Sequence, residues 1–360
     1  MNEFQNNKND IIEEIQPQGA PVKHWRTVQL SINGLVQKVR YNESTITGLF
    51  RPFLQRLTTL QQQKGRRILV FLAAPPAVGK STLALFLEKL SRGTTGLTPI
   101  QAIGLDGFHY HNDYLQSHSI QKNGQSIPLY QIKGAPETFD VIHFLDKISH
   151  ITNEDIRWPV YDRMRHDVVE DVQRIHRPII LLEGNWLLLR HPDWQRARSY
   201  ADYTLFLSAH PNDLKTRLIN RKMQGGLSYE AAAAFYQKSD SENVMRVLQQ
   251  SVPADETWIM GHDGDYHTEA DIQRRKNVSI MDDSDFPLAT ILRGLTETPT
   301  GEEHPPTWQE GYVEGLTAAR MAILRQLYLT GSLSSKELCE KFQLKPEELT
   351  EIVKPAEPKK

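Results

Sequence analysis

Ala74-Pro75-Pro76-Ala77-Val78-Gly79-Lys80-Ser81-Thr82 follows an apolar run, Ile68 to Ala73, and opens a leucine-rich helical pattern, Leu83 to Leu90. A loop ending in Gly-Lys-Ser-Thr between a strand and a helix is the pattern of a phosphate-binding P-loop. In such a loop the backbone N–H groups of Pro76, Ala77, Val78, Gly79, Lys80, Ser81 and Thr82 (proline excepted) surround an anion that the helix dipole also favours. Lys80 is expected to reach the β- and γ-phosphates, and the Ser81 hydroxyl to ligate Mg²⁺. One position departs from the pattern. Ala74 stands where the first glycine is expected; alanine resists positive φ, and Pro75-Pro76 stiffens the start of the loop further. The expected ligand is a nucleoside triphosphate, ATP with Mg²⁺.

Outward from this loop, apolar runs alternate with helical patterns. Strands are expected over 67–73, 100–105, 156–160, 178–183, 203–208 and 258–260, and helices over 81–91, 141–148, 211–224, 229–238 and 242–250. That alternation implies βαβ units and a mainly parallel sheet covered on both faces, a three-layer α/β/α fold. Ligands of such sheets bind at the carboxyl ends of the strands. Upstream, Asn33-Gly34 between the alternating runs Thr27–Ile32 and Leu35–Arg40 predicts a β-hairpin. A helix over 44–63 follows, with Phe50, Phe53, Leu54 and Leu57 on one face.

The domain boundaries expected are a polar, loosely attached leader over 1–22, a nucleotide-binding domain over 23–268, a linker over 269–306 and a helical module over 307–354. Trp308, Tyr312, Leu316, Ala319, Ile323 and Leu327 give that module an apolar stripe. The stripe needs a cover: the core, a second copy of the chain or another protein.

Composition sets outer bounds. The chain has 360 residues, 39% hydrophobic and 24% charged, with net charge −2. Such a balance gives no electrostatic case for nucleic acid or an anionic membrane. Cys339 is the single cysteine, so no intrachain disulfide can form, which fits a reducing compartment. The Asn/Gln/Glu-rich start lacks the apolar segment of a signal peptide, and no run reaches the length of a membrane span. A cytoplasmic location is expected.

Three further segments carry chemistry. Leu105-Asp106-Gly107-Phe108-His109 closes the second expected strand, and a carboxylate there could take a proton from an acceptor hydroxyl. An Asp-Gly turn after a strand is the plain alternative. Ile179 to Leu182 is an apolar strand ending in Glu183-Gly184-Asn185-Trp186, where a P-loop enzyme keeps its second Mg²⁺-linked acid. Arg217 and Arg221, four apart, share a helix face and could close over phosphates, or simply form a solvated basic face. Lys133–Asp140 and the stretch from Trp158 through Tyr161 to His166 and Asp167 are candidates for acceptor binding that spacing alone would not single out.

The ordered set resembles the P-loop kinase group of uridine kinase, phosphoribulokinase and bacterial pantothenate kinase. Its members are Gly79-Lys80-Ser81-Thr82, Asp106-Gly107-Phe108-His109, Lys133–Asp140, Pro159-Val160-Tyr161-Asp162 and Glu183-Gly184-Asn185-Trp186. The resemblance spans about residues 25–268. It is strongest to a bacterial branch described as nucleoside/nucleotide kinase-like or fructose transport system kinase-like, in which glycine commonly stands at the position of Ala77. It implies that Asp106 is the base, Glu183 the Mg²⁺-associated acid, and Tyr161 and His166 holders of the acceptor, with Arg217 and Arg221 as lid arginines. It also implies a kinase acting on a nucleoside, sugar or pantothenate-like hydroxyl. Two other classes stay open from the residues: an NTP-hydrolysing switch, and a ligand-sensing regulator whose C-terminal helices bind DNA or a partner. Glu337, Glu340, Glu347, Glu348 and Glu351 argue against DNA.

Overall fold

The computed structural model describes residues 23–32, 35–122 and 124–272, with isolated positions between 324 and 350. The chain divides into two units, Met1–Glu269 and Ala270–Lys360, and every described strand belongs to the first. The expected leader over 1–22 lies outside the described residues, as do the linker and helical module apart from 269–272 and those isolated positions.

The alternating runs pair as expected: β1 (Trp25–Ile32) lies antiparallel to β2 (Leu35–Asn42), with Trp25 opposite Asn42. A short helix, α1 (Glu43–Thr45), and a π-helical turn (Ile46–Phe50) lead into α2 (Arg51–Lys64), so the helix expected over 44–63 is not a single α-helix. The π turn carries Phe50 onto Trp258, ring centroids 5.3 Å apart.

β3 (Ile68–Ala73) is buried along its whole length. Each such apolar side chain contributes about 1.5–3 kcal/mol on burial, which makes the strand a fixed base for the loop that leaves it. α3 (Lys80–Arg92) follows the loop and β4 (Ile100–Gly104) returns to the sheet. A 3₁₀ turn (Leu105–Phe108) and α4 (Asn112–Ser117) come next, then the small hairpin of β5 (Ser119–Lys122) and β6 (Gln125–Pro128). α5 (Val141–His150) starts where the Asp140 carboxylate accepts from the His143 N–H at 2.9 Å, an N-cap. β7 (Arg157–Asp162), β8 (Asp167–Arg174), β9 (Ile179–Gly184), α6 (Pro192–Arg198) and β10 (Tyr203–Ala209) follow. The chain then runs through α7 (Pro211–Gln224), α8 (Tyr229–Phe235), a π-helical turn (Tyr236–Asp240), α9 (Ser241–Gln250), β11 (Glu256–Met260) and β12 (Tyr266–Thr268).

The central sheet has the order β12-β11-β10-β3-β9-β4. Every pairing in it is parallel except β11 with β12 at one edge. Side chains alternate across it, so Ile68, Val70 and Leu72 enter one apolar cluster with Leu83 and Leu87 of α3. Leu69, Phe71 and Ala73 enter another with Phe144, Trp186 and Trp194. Two cores on opposite faces of one sheet are the expected three layers.

One strand stands elsewhere than the alternation predicts. The run expected over 156–160 forms β7, which pairs antiparallel with β8 and not with the central sheet. The cause is local. The Asp162 carboxylate accepts from the N–H groups of Met164 at 2.8 Å and Arg165 at 3.1 Å, reversing the chain before any crossover helix can form.

Candidate active site

The loop after β3 turns on two left-handed residues, Ala77 at φ 67° and Gly79 at φ 96°. Ala74 is not among the positive-φ residues, so the strain expected at the start of the loop is carried instead at Ala77, an unfavourable conformation for alanine. At Gly79 a Cβ would be strained by the backbone conformation and would stand 3.3 Å from the Tyr266 hydroxyl, a tight contact.

Two side chains hold this loop from outside. Arg217 Nε donates to the Ala77 carbonyl at 2.8 Å, and the Tyr266 hydroxyl donates to the Val78 carbonyl at 3.0 Å. In a trans peptide the N–H points opposite its carbonyl, so fixing these two oxygens also fixes the N–H groups of Val78 and Gly79 on the other side. Burial pushes the Tyr266 phenol up to about 12, which keeps it a neutral donor.

The two candidate carboxylates lie at adjacent strand ends. β4 and β9 pair with Gly104 opposite Glu183, and Asp106 sits two residues beyond Gly104 in the 3₁₀ turn. Ser81 Oγ donates to Glu183 Oε1 at 2.6 Å, joining the first turn of α3 to the end of β9. Burial raises the Glu183 carboxyl above its ordinary value; the Lys80 charge opposes that shift, Asp106 reinforces it and the Ser81 hydrogen bond opposes it. Ser81 and Glu183 thus offer two oxygen donors side by side, the hard-ligand chemistry Mg²⁺ requires. Among the described residues no cluster of three His, Cys, Asp or Glu could hold a metal alone.

The β7–β8 hairpin packs closely against the turn that carries Asp106, while Asp106 itself stays exposed. Trp158 Nε1 donates to the Gly104 carbonyl at 2.8 Å, and a Cβ on Gly107 would fall 2.1 Å from the Pro159 carbonyl oxygen. Only glycine fits there. Gly107→Ala is expected to push the hairpin off the Asp106 turn and to cost about 1–3 kcal/mol. A denaturant titration of the variant checks this; an unchanged midpoint would mean the backbone yields without cost.

Two cavities flank this arrangement. The first, about 190 Å³, is lined by Asp106, Glu183, Tyr161 and Gln173. The second, about 390 Å³, is lined by Lys80, Thr82, Arg217, Asn220 and Arg221. Ser81 and Arg163 line both. The second has four cations, Lys80, Arg163, Arg217 and Arg221, and no carboxylate on its lining, a setting for a polyanion. Burial lowers the Arg221 guanidinium below its ordinary value; Asp240 and Asp106 draw it up, and Arg163 presses it down.

The remaining acceptor candidates form a cluster beside these cavities. Lys133 Nζ donates to the Asn112 side chain at 2.6 Å and to the His166 carbonyl at 2.9 Å, and lies 4.9 Å from the Tyr161 ring centroid. Burial lowers the Lys133 ammonium, with Asp167 opposing. His166, at φ 54°, joins the cluster through its carbonyl, and its residue is exposed. Tyr161 lines the first cavity; Lys133 and His166 line neither. Sequence reasoning missed Arg163 as a residue shared by both cavities, Gln173, and Tyr266 as the loop's anchor. Arg163 lies inside the stretch from Trp158 to Asp167 expected to bind the acceptor, so only its place between the two cavities went unread; Tyr266 has no local signal.

No protein-family model matches the sequence. Over 241 residues the chain is 39% identical to the uncharacterized protein YggC of Escherichia coli K12, a match covering 67% of this chain and 98% of that protein. It is 29% identical over 198 residues to a candidate uridine kinase of Schizosaccharomyces pombe, covering 53% of this chain and 82% of that one. Among solved structures it is similar to a candidate fructose transport system kinase from Silicibacter sp. TM1040. There the identity is 29% and the TM-score 0.50, over 57% of this chain and 98% of that one.

Proposed function

We propose, from the premise that this chain belongs to the P-loop kinase group of uridine kinase and pantothenate kinase, that it transfers the γ-phosphoryl group of ATP to a hydroxyl of a small metabolite. The observation that carries this reading is the joining of Ser81 to Glu183, near Asp106, where a cavity whose charged residues are all cations meets a second cavity. In this reading the triphosphate lies over Gly79–Thr82, with Lys80, Arg217 and Arg221 facing its charge. Ser81 and, through water, Glu183 would hold Mg²⁺, which would offset charge on the β- and γ-oxygens. Asp106 takes the proton of the acceptor hydroxyl as its oxygen bonds to the γ-phosphorus. The bond from that phosphorus to the β,γ-bridging oxygen breaks, and ADP leaves. The acceptor is of the nucleoside, sugar or pantothenate-like class and occupies the cavity lined by Asp106 and Tyr161.

The same reading puts the reaction in the cytoplasm, where ATP is available. Among the described residues no helix is long and apolar enough to cross a membrane. Incubating the full chain with Mg-ATP and a metabolite library is expected to yield ADP together with one metabolite heavier by a phosphoryl group. ADP release of equal rate with and without every metabolite would instead mark an NTP-hydrolysing protein and overturn the kinase assignment.

A further inference from the structure

β1 and β2 pair with each other alone and form no part of the central sheet. Even so, this ribbon reaches both cavities: Gln37 of β2 lines the cationic one with Lys80, Thr82, Arg217 and Asn220, and Ser31 of β1 lines the one holding Asp106. Gln37 stands opposite Leu30, which is buried, and opposed residues share a face of an antiparallel pair. Gln37 therefore stands on the side of the ribbon turned to the protein and, itself exposed, at the mouth of the cavity.

The ribbon is fastened to the segment that also fastens the P-loop. Asp265, 3% exposed, accepts from Asn42 Nδ2 at 3.0 Å, Thr45 Oγ1 at 2.7 Å and Lys23 Nζ at 3.0 Å. Burial works against the Asp265 charge, but these hydrogen bonds and Lys23 hold its carboxyl below the ordinary value. The next residue, Tyr266, holds the Val78 carbonyl, and Tyr41 of β2 stacks on Phe86 of α3 at 4.3 Å. Ribbon and loop thus share one anchor, so the position of Gln37 relative to the loop is set by buried polar contacts.

We propose that the N-terminal hairpin is a wall of the nucleotide site, with the Gln37 carboxamide donating a hydrogen bond to the bound triphosphate. This rests on the reading of the cationic cavity as the phosphate site. Every charged group on that lining is a cation, so a neutral donor at position 37 adds to a phosphate cradle, whereas a carboxylate there would repel the ligand and compete for its arginines.

Isothermal titration of the full chain with Mg-ATP tests this on the parent, Gln37→Ala and Gln37→Glu. Losing one hydrogen bond is expected to weaken binding about threefold, and the added charge to weaken it about tenfold or more. Melting temperatures without nucleotide are expected to stay at the parent's value, since the side chain sits at the cavity mouth. Adenosine, which lacks phosphates, is expected to bind parent and variants alike. If the parent binds Mg-ATP and both variants match it, the hairpin is no part of the site and the inference is wrong, while the P-loop reading stands. A loss of equal size for adenosine also overturns the phosphate contact. If the parent itself binds no Mg-ATP, both readings fall together.

Discussion

Asp106→Asn is expected to lower turnover by about two to four powers of ten, the usual worth of a positioned general base, while Mg-ATP affinity changes by less than about twofold. The substitution keeps the side chain's size and removes its ability to accept a proton. Its surroundings argue for a selective effect. Asp106 is held by a 3₁₀ turn whose backbone partners do not involve the carboxylate: the His109 N–H donates to the Asp106 carbonyl at 3.3 Å. The carboxylate lines the cavity beside Tyr161, not the cationic one, so the nucleotide loses no direct partner. Removing one negative charge near Glu183 also removes a contribution that raises the Glu183 carboxyl, which favours its ionised form. Steady-state rates at saturating ATP, with binding measured separately, check the split. A variant that turns over at the parent's rate has another base, and a variant that loses turnover and ATP affinity together assigns Asp106 to nucleotide binding.

Much of this site was legible because its signals are local. Gly79-Lys80-Ser81-Thr82 was expected between a strand and a helix, and it lies between β3 and α3. Asp106 and Glu183 were legible for a related reason: each ends or follows an apolar strand, and in a parallel sheet such ends converge. The observed register of Gly104 opposite Glu183 then brings the two together. The pairing of β7 was not legible, since an apolar run reads the same in a central strand and in a hairpin. What decided it was the Asx-type turn at Asp162. Nor were Tyr266 and Gln37 legible. Tyr266 meets Val78 across 188 positions of chain, and such contacts leave no spacing for a pattern to detect. At short range the loop pattern drew attention to Ala74, whereas the resemblance marked Ala77 as a place where glycine commonly stands, and Ala77 is the alanine that takes positive φ.

Lys80→Ala is expected to abolish most of the thermal stabilisation that Mg-ATP gives the parent. Ligand that binds only the folded chain stabilises it by RT ln(1 + [L]/Kd), about 2.7 kcal/mol at a hundredfold excess over Kd. For a unit of this size each kcal/mol moves the melting temperature by about 2–4 °C, so the parent should shift by about 5–10 °C. Lys80 is the first residue of α3, with the left-handed Gly79 before it, so its amine and the helix N-terminus face the same ligand. Alanine is the best helix former and leaves that backbone intact, so the nucleotide-free melting temperature should hardly move. Arg163, Arg217 and Arg221 remain on the cavity lining, and their charge will retain a weak affinity. They do not stand at the helix start, however, and the Arg217 Nε is already engaged by the Ala77 carbonyl. Scanning fluorimetry on parent, Lys80→Ala and Asp106→Asn separates the roles in one experiment: the Asp106 variant should keep the full shift and the Lys80 variant should lose it. Equal shifts in Lys80→Ala and parent would mean that ATP is held somewhere other than the loop at Gly79–Thr82, and the assignment of this loop would be wrong.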